Sequence, residues 1–299
     1  MGIFCVSTDF RMTIHQRTQS VLFAALLAFV PVHYACALDV AKLEARAQEG
    51  NLEAVFEIGR AYLRGDGAPH DDKKALEYFR QAAEKGHAKA QHNLGLMLLQ
   101  GRGTGIDATE AAKWFQRAAE QGVARSEETI GVLLLQGQGV EKNPQEALKW
   151  LRKAAEDGQP EAQLRIGLSY YRGEEAGQDY AQAAHWLTLA AVQDKFAAMN
   201  ALGSLYEQGL GVTADMEQAI RWYKKAAEAE DAKAQANLGR LYATGTGVER
   251  DTVLAYTWLT RSSAHGEPLG ANLLNDLKKG MSVEQIAEGE RRAAEPAQK

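Results

Sequence analysis

Residues 87–122 read HAKAQHNLGLMLLQGRGTGIDATEAAKWFQRAAEQG, and this stretch decides the fold because it recurs. Its central glycine belongs to a column, Gly59, Gly95, Gly131, Gly167, Gly203 and Gly239, each 36 residues from the next. Ile58, Leu94, Ile130, Ile166, Leu202 and Leu238 precede those glycines, and Gly65, Gly101, Gly137, Gly173, Gly209 and Gly245 follow six residues after them. Two further columns keep the step: Ala75, Ala111, Ala147, Ala183, Ala219 and Ala255, then Tyr78, Trp114, Trp150, Trp186, Trp222 and Trp258. Self-similarity at a fixed period of this length marks a stack of identical supersecondary units.

Within the unit, Ala90, Leu94, Met97 and Leu98 recur at helical spacing and predict a first helix from about Lys89 to Gln100. A glycine inside a helix costs about 1 kcal/mol relative to alanine, so Gly95 is expected where a second helix comes close. Gly101 and Gly103 accept left-handed backbone angles and end the helix. A second helix starts at the column Asp71, Asp107, Asn143, Asp179, Asp215 and Asp251, all good N-cap types. Glu110, Glu146, Gln182 and Gln218, three residues on, predict reciprocal capping boxes in four repeats, and Pro144 suits a first helical position. The alanine column and the aromatic three residues beyond it are expected to face the first helix. The pair Ala82 and Ala83, with its equivalents, is expected to admit the next hairpin.

A lone hairpin of this size cannot bury its apolar face, whereas stacked neighbours can. The expectation is an all-α chain of six helix-turn-helix repeats, at 51–86, 87–122, 123–158, 159–194, 195–230 and 231–266. Residues 38–50 would form an N-terminal capping helix and 267–299 a C-terminal capping helix and tail, with Ser282 and Gln285 marking a helix start.

The bulk numbers agree with a folded helical protein. Of 299 residues, 45% are hydrophobic and 24% charged, too apolar for a disordered chain, and only six are proline. A net charge of −5 argues against a general nucleic-acid binder, which needs a basic face to displace counterions. The N-terminus reads as a signal peptide over 1–37, with Met1 and Met12 both open as starts. Arg17 precedes the apolar run VLFAALLAFV at 21–30, and Ala35 and Ala37 form an A-x-A cleavage site. That run is well short of the roughly 20 residues a spanning helix needs. The expectation is therefore a mature chain from Leu38, periplasmic or secreted, without stable membrane insertion. Both cysteines, Cys5 and Cys36, fall in the leader, so no disulfide framework is available to the remainder.

The pattern A-x-A-x3-LG-x2-Y-x2-G-x-GV-x2-D-x3-A-x2-W-x2-KAAE-x-G, nearly spelled out by IGVLLLQGQGVEKNPQEALKWLRKAAEDG at 130–158, resembles the Sel-one-like repeat family, relatives of tetratricopeptide repeats. The resemblance covers residues 51–266 and the C-terminal segment. It implies a right-handed α-solenoid superhelix and, for function, an adaptor or scaffold surface of the bacterial envelope. Repeat four departs from the pattern: Glu175 replaces the second loop glycine, and the unit ends in LAAVQD. Repeat five ends in Glu230 instead of glycine. An altered turn between repeats four and five is expected from these changes.

No catalytic constellation is present: there is no H-E-x-x-H, P-loop or G-x-S-x-G, and no cysteine beyond the leader. The G-x-G pairs follow helices rather than strands and are read as helix stops. His70, His87, His92, His185 and His265 are read as scattered surface residues, with no metal site. The acidic column has a capping role already, and the tryptophan column is read as core. These absences, with the resemblance, favour a non-enzymatic interaction protein without cofactor, whose partner is another protein or peptide such as an envelope sensor or cell-wall protein. A secreted effector acting on another cell is the alternative. A cell-wall or β-lactam-active hydrolase is a more distant one, since the disulfide framework of the β-lactam-linked relatives is missing.

By analogy with tetratricopeptide repeats, the first helices line the concave groove. Its inward positions include Arg60, Leu63 and Arg64 in repeat one, Leu96 and Leu99 in repeat two, and Val132 and Leu135 in repeat three. Leu168, Tyr171 and Arg172 follow in repeat four. Together they form an apolar strip rimmed by arginines and are the candidate partner-binding residues. The alternative is that these leucines merely pack between adjacent first helices.

Overall fold

The computed structural model describes residues 39–174 and 176–295. The expected leader and its cleavage point at Ala37 lie outside them, as does Glu175. Fifteen helices and no strand occur among the described residues. After α1 (Val40–Gln48), six hairpins follow on one step: α2 (Leu52–Arg64) with α3 (Asp72–Glu84), α4 (Ala88–Gln100) with α5 (Ala108–Glu120), and α6 (Ala124–Gln136) with α7 (Pro144–Glu156). The other three are α8 (Pro160–Arg172) with α9 (Tyr180–Ala191), α10 (Phe196–Gln208) with α11 (Met216–Glu228), and α12 (Ala232–Thr244) with α13 (Thr252–Ala264). Each hairpin packs on the next, which makes the chain an α-solenoid. Two helices, not one, cover the C-terminal end: α14 (Pro268–Lys278) and α15 (Val283–Ala294).

Each helix begins and ends for a local reason. The six Asp and Asn residues of the cap column accept a hydrogen bond from the backbone N–H three residues on, at 2.8–3.1 Å. The first helices end at Gly65, Gly101, Gly137, Gly173, Gly209 and Gly245, all left-handed with φ between 67° and 74°. The capping boxes expected at Glu110, Glu146, Gln182 and Gln218 do not form. The cap residue's own N–H is already donated to a carbonyl of the preceding helix, as from Asp107 to Leu98 and from Asn143 to Leu134, both at 3.0 Å. Glu110 is thereby released to pair with Arg80 of the previous repeat at 2.5 Å, and this guanidinium holds its carboxyl below the usual range. Among the described residues the one closed box is at Ser282 and Gln285, as the sequence indicates.

The core follows the columns, with one correction. The alanine column and the aliphatic column before the helical glycines are essentially inaccessible to solvent. A Cβ on Gly95 would sit 3.0 Å from the Phe115 ring, and one on Gly131 would sit 2.7 Å from Leu151. The residue against the glycine is thus the one after the tryptophan column: Phe79, Phe115, Leu151, Leu187, Tyr223 or Leu259. The tryptophans themselves range from buried to half-buried. Those at 114, 150, 222 and 258 carry a cation from three residues on: Arg117, Lys153, Lys225 and Arg261.

The expected altered turn between repeats four and five is not found. Asp194 and Glu230 adopt the left-handed conformation of the glycines they replace, with φ of 61° and 67°. Helices α10 and α12 consequently begin on the 36-residue step. The geometry is kept at a strain of about 1–2 kcal/mol per residue that glycine would avoid.

Candidate interaction surface

First helices of neighbouring repeats lie side by side and are tied directly to one another. His92 on α4 meets Ser126 on α6 at 2.8 Å, and Tyr171 on α8 meets Ser204 on α10 at 3.1 Å. Asn237 on α12 donates to Asn200 on α10 at 3.0 Å. Arg240 pairs with Glu207 at 2.6 Å, and Tyr223 donates its hydroxyl to the same carboxylate at 2.9 Å. Burial, with Glu207 beside it, pushes the Tyr223 hydroxyl up, so it stays a donor.

The ten candidate residues divide on this face. Leu63, Leu96, Leu99, Val132 and Leu135 are half-buried and pack against the two main core clusters. No leucine of the strip is among the large hydrophobics that stand exposed. Arg60 turns back onto Glu57 at 2.6 Å and lies over Phe56, while Arg64 is exposed. The remaining three, Leu168, Tyr171 and Arg172, line a cleft of about 350 Å³ together with residues of α10, α12 and α14. Asn200, Ser204 and Asn237 line it as well. Lys233, Asp231 and Glu267 supply charge of both signs, and the exposed Leu269 is part of the lining.

Two histidines depart from the surface reading. His87 caps α4, its Nδ1 accepting from Ala90 N–H at 3.1 Å, and Nε2 meets Glu53 of the previous repeat at 3.0 Å. His92 is packed on Phe115, and its burial lowers its pKa to about 4. His70, His185 and His265 are exposed. Among the described residues no group of three or more His, Cys, Asp or Glu is placed to hold a metal ion, and no helix is long and apolar enough to cross a membrane.

Sequence reasoning missed two sets of contacts. One is a buried polar register on the first helices, Gln91, Glu127, Gln163 and Gln235, whose side chains serve the preceding hairpin: the glutamines donate to Ala83, Ala155 and Ala227 carbonyls at 3.0–3.1 Å. Glu127 instead forms an ion pair with Lys153 at 2.6 Å. The other is the second loop glycine, which packs on the preceding repeat. A Cβ on Gly103 would lie 2.4 Å from the Asp72 carbonyl oxygen, and one on Gly139 2.1 Å from that of Ala108. A helix-stop reading explains the left-handed angle there but not this contact.

Paired helices on a fixed 36-residue step, glycine-mediated helix contacts and stacked first helices define an α-solenoid helical-repeat protein. More narrowly, the Sel1 repeat model matches residues 52–87, 88–123, 130–159, 160–194, 196–231 and 232–267, and the chain belongs to the Sel1 repeat family. Among solved structures it is similar to a protective antigen of uropathogenic Escherichia coli displaying an SLR fold, at 30% identity and a TM-score of 0.73. That match covers 86% of this chain but 56% of the antigen, so the chain spans a little over half of that relative's length. It is also similar to a Sel1 repeat protein from Oxalobacter formigenes, at 32% identity and a TM-score of 0.62, over 76% of this chain and 99% of that one. Comparison with curated proteins gives no match. Sel1 repeat proteins generally serve as protein-interaction scaffolds and are typically non-enzymatic.

Proposed function

We propose that this chain is a non-enzymatic scaffold or regulator of the bacterial periplasm that docks a peptide or helix of another protein along its first-helix face. The anchoring point in this reading is the cleft between α8, α10, α12 and α14. The observation that carries it is the lining of that cleft, where Leu168, Tyr171 and Leu269 sit among amide and hydroxyl groups and charges of both signs. Such a surface suits a segment with an apolar anchor and an exposed backbone. The strip of repeats one to three, half-buried against the core, extends the surface without anchoring it. Export rests on the apolar run at 21–30 and the A-x-A site ending at Ala37.

A photo-crosslinking residue in place of Ser204, used in intact cells, is the test. A discrete crosslinked partner is expected from the envelope fraction, lost in a Leu168→Asp, Tyr171→Ala variant whose circular dichroism is unchanged. Leu99→Asp with Leu135→Asp should weaken folding more than capture. Equal crosslinking by the folded cleft variant would overturn the site. A soluble form whose N-terminal residue is not Leu38 would overturn the cleavage.

A further inference from the structure

Gln91, Gln163 and Gln235 share one register of the first helices in repeats two, four and six, and at 4%, 4% and 1% exposure all three are buried. Each gives its Nε2 to a carbonyl of the preceding hairpin. In two of them the amide oxygen is satisfied as well. Gln121 donates to Gln91 at 2.6 Å, and Gln193 donates to Gln163 at 2.8 Å. The donor stands 30 residues beyond its acceptor in both pairs, and in repeat six that position is His265, which is exposed. The Oε1 atom of Gln235 is left buried without a partner. A buried acceptor in this state keeps its desolvation penalty uncompensated, so something with a donor is favoured there.

That amide lines a cavity of about 420 Å³ between α12, α13 and α15. Thr260 is in the lining too, and its Oγ1 is likewise buried without a partner. The one guanidinium in the wall is already spent. Arg261 donates to the carbonyls of Ala293, Arg292 and Glu295 at 2.6–3.3 Å and lies over Trp258. Glu230, Glu290 and Glu295 complete the lining, with Glu290 accepting from the Tyr256 hydroxyl and Glu295 paired with Arg291. Unfilled acceptors on residues of the wall, with carboxylates beside them, favour a cationic donor of a few heavy atoms. We propose that this cavity binds a primary ammonium or guanidinium group, carried by a lysine or arginine side chain of a partner or by a free polyamine, with Gln235 Oε1 and Thr260 Oγ1 as its acceptors. It is separate from the first-helix cleft and does not depend on it.

The repeats themselves supply the control variants. His265→Gln puts the amide of Gln121 and Gln193 at the matching place and fills the acceptor from within. Gln235→Met installs the residue that repeat five carries in this register, Met199. The experiment is an NMR titration of the ¹⁵N-labelled full chain with Nα-acetyl-lysine methylamide, Nα-acetyl-arginine methylamide and putrescine, with Nα-acetyl-norleucine methylamide as the uncharged control. The charged probes should shift the Gln235 side-chain amide and the backbone around residues 260–265, and the control should not. Each variant should keep its helical spectrum and bind about tenfold or more weakly, and His265→Gln should also raise the melting temperature. Tighter binding of a capped amino acid than of putrescine assigns a protein side chain as the source, and the reverse order assigns a polyamine. The proposal falls if no charged probe shifts these signals, if norleucine does so equally, or if His265→Gln binds as well as the parent.

Discussion

The junction between repeats two and three and the junction between repeats five and six are built on the same 36-residue step, yet different contacts hold them. At the first, the second loop glycine faces backbone: a Cβ on Gly139 would lie 2.1 Å from the Ala108 carbonyl oxygen. At the second, a Cβ on Gly247 would lie 2.1 Å from Met216 Cγ, an atom of a flexible side chain. The first junction closes its turn with glycine, Gly122 at φ 81°, while the second uses Glu230 at φ 67°. The first also carries the His92–Ser126 bridge, while the second carries the neutral pair Asn200 and Asn237 and the ion pair Arg240–Glu207. A repeat array tolerates change where a side chain can move aside and resists it where two backbones touch.

The largest effect separates the two glycines. Gly139→Ala should lose about 3 kcal/mol or more in urea unfolding, because both the left-handed angle and a backbone clash oppose it. Gly247→Ala should lose only about 1–2 kcal/mol, since Met216 can shift. Equal losses would erase the distinction. Next comes a pH effect at the first junction. Burial lowers the His92 pKa below its unfolded value, to about 4, so the unfolded chain binds the extra proton first. Its contribution is complete above pH 6.5 and is lost as pH falls from 6.5 toward 4, by about 2 kcal/mol at pH 5. Denaturant titrations at pH 7 and pH 5 should show this slope in the parent chain and not in His92→Gln. The smallest expected change is a gain: Glu230→Gly relieves the left-handed strain and should raise stability by about 0.5–1 kcal/mol. The same substitution at Asp194 should behave alike.

The residues show where sequence reading stops. Helix caps and glycine stops were legible because each depends on groups a few residues away, as Asp107 does on the Glu110 N–H. The failed capping boxes were not, because the competitor for the Asp107 N–H is the Leu98 carbonyl on the preceding helix, across the loop. The tryptophan column drew attention by its size, while the residue after it, which meets the glycine, varies among Phe, Leu and Tyr and is marked only by being apolar throughout. At the candidate surface, register alone places Leu168, Tyr171 and Arg172, but not Asn200, Ser204, Asn237 and Leu269. They come together only when four first helices are laid side by side. The unsatisfied oxygen of Gln235 is a mismatch with a residue 30 positions away, visible only against the completed pairs at Gln91 and Gln163.

The two flanking elements keep the phase of the array. Helix α14 begins at Pro268, 36 residues after Ala232, and α1 ends at Gln48, 36 residues before Glu84. The spacing of helix starts and ends therefore continues through both flanks. A duplication or deletion of one whole unit would keep that spacing throughout. Length is thus a free variable for evolution and for engineering. Excising residues 124–159 should give a shorter folded protein that keeps both end caps and the cleft, and the reach of the first-helix face would change in whole-repeat increments.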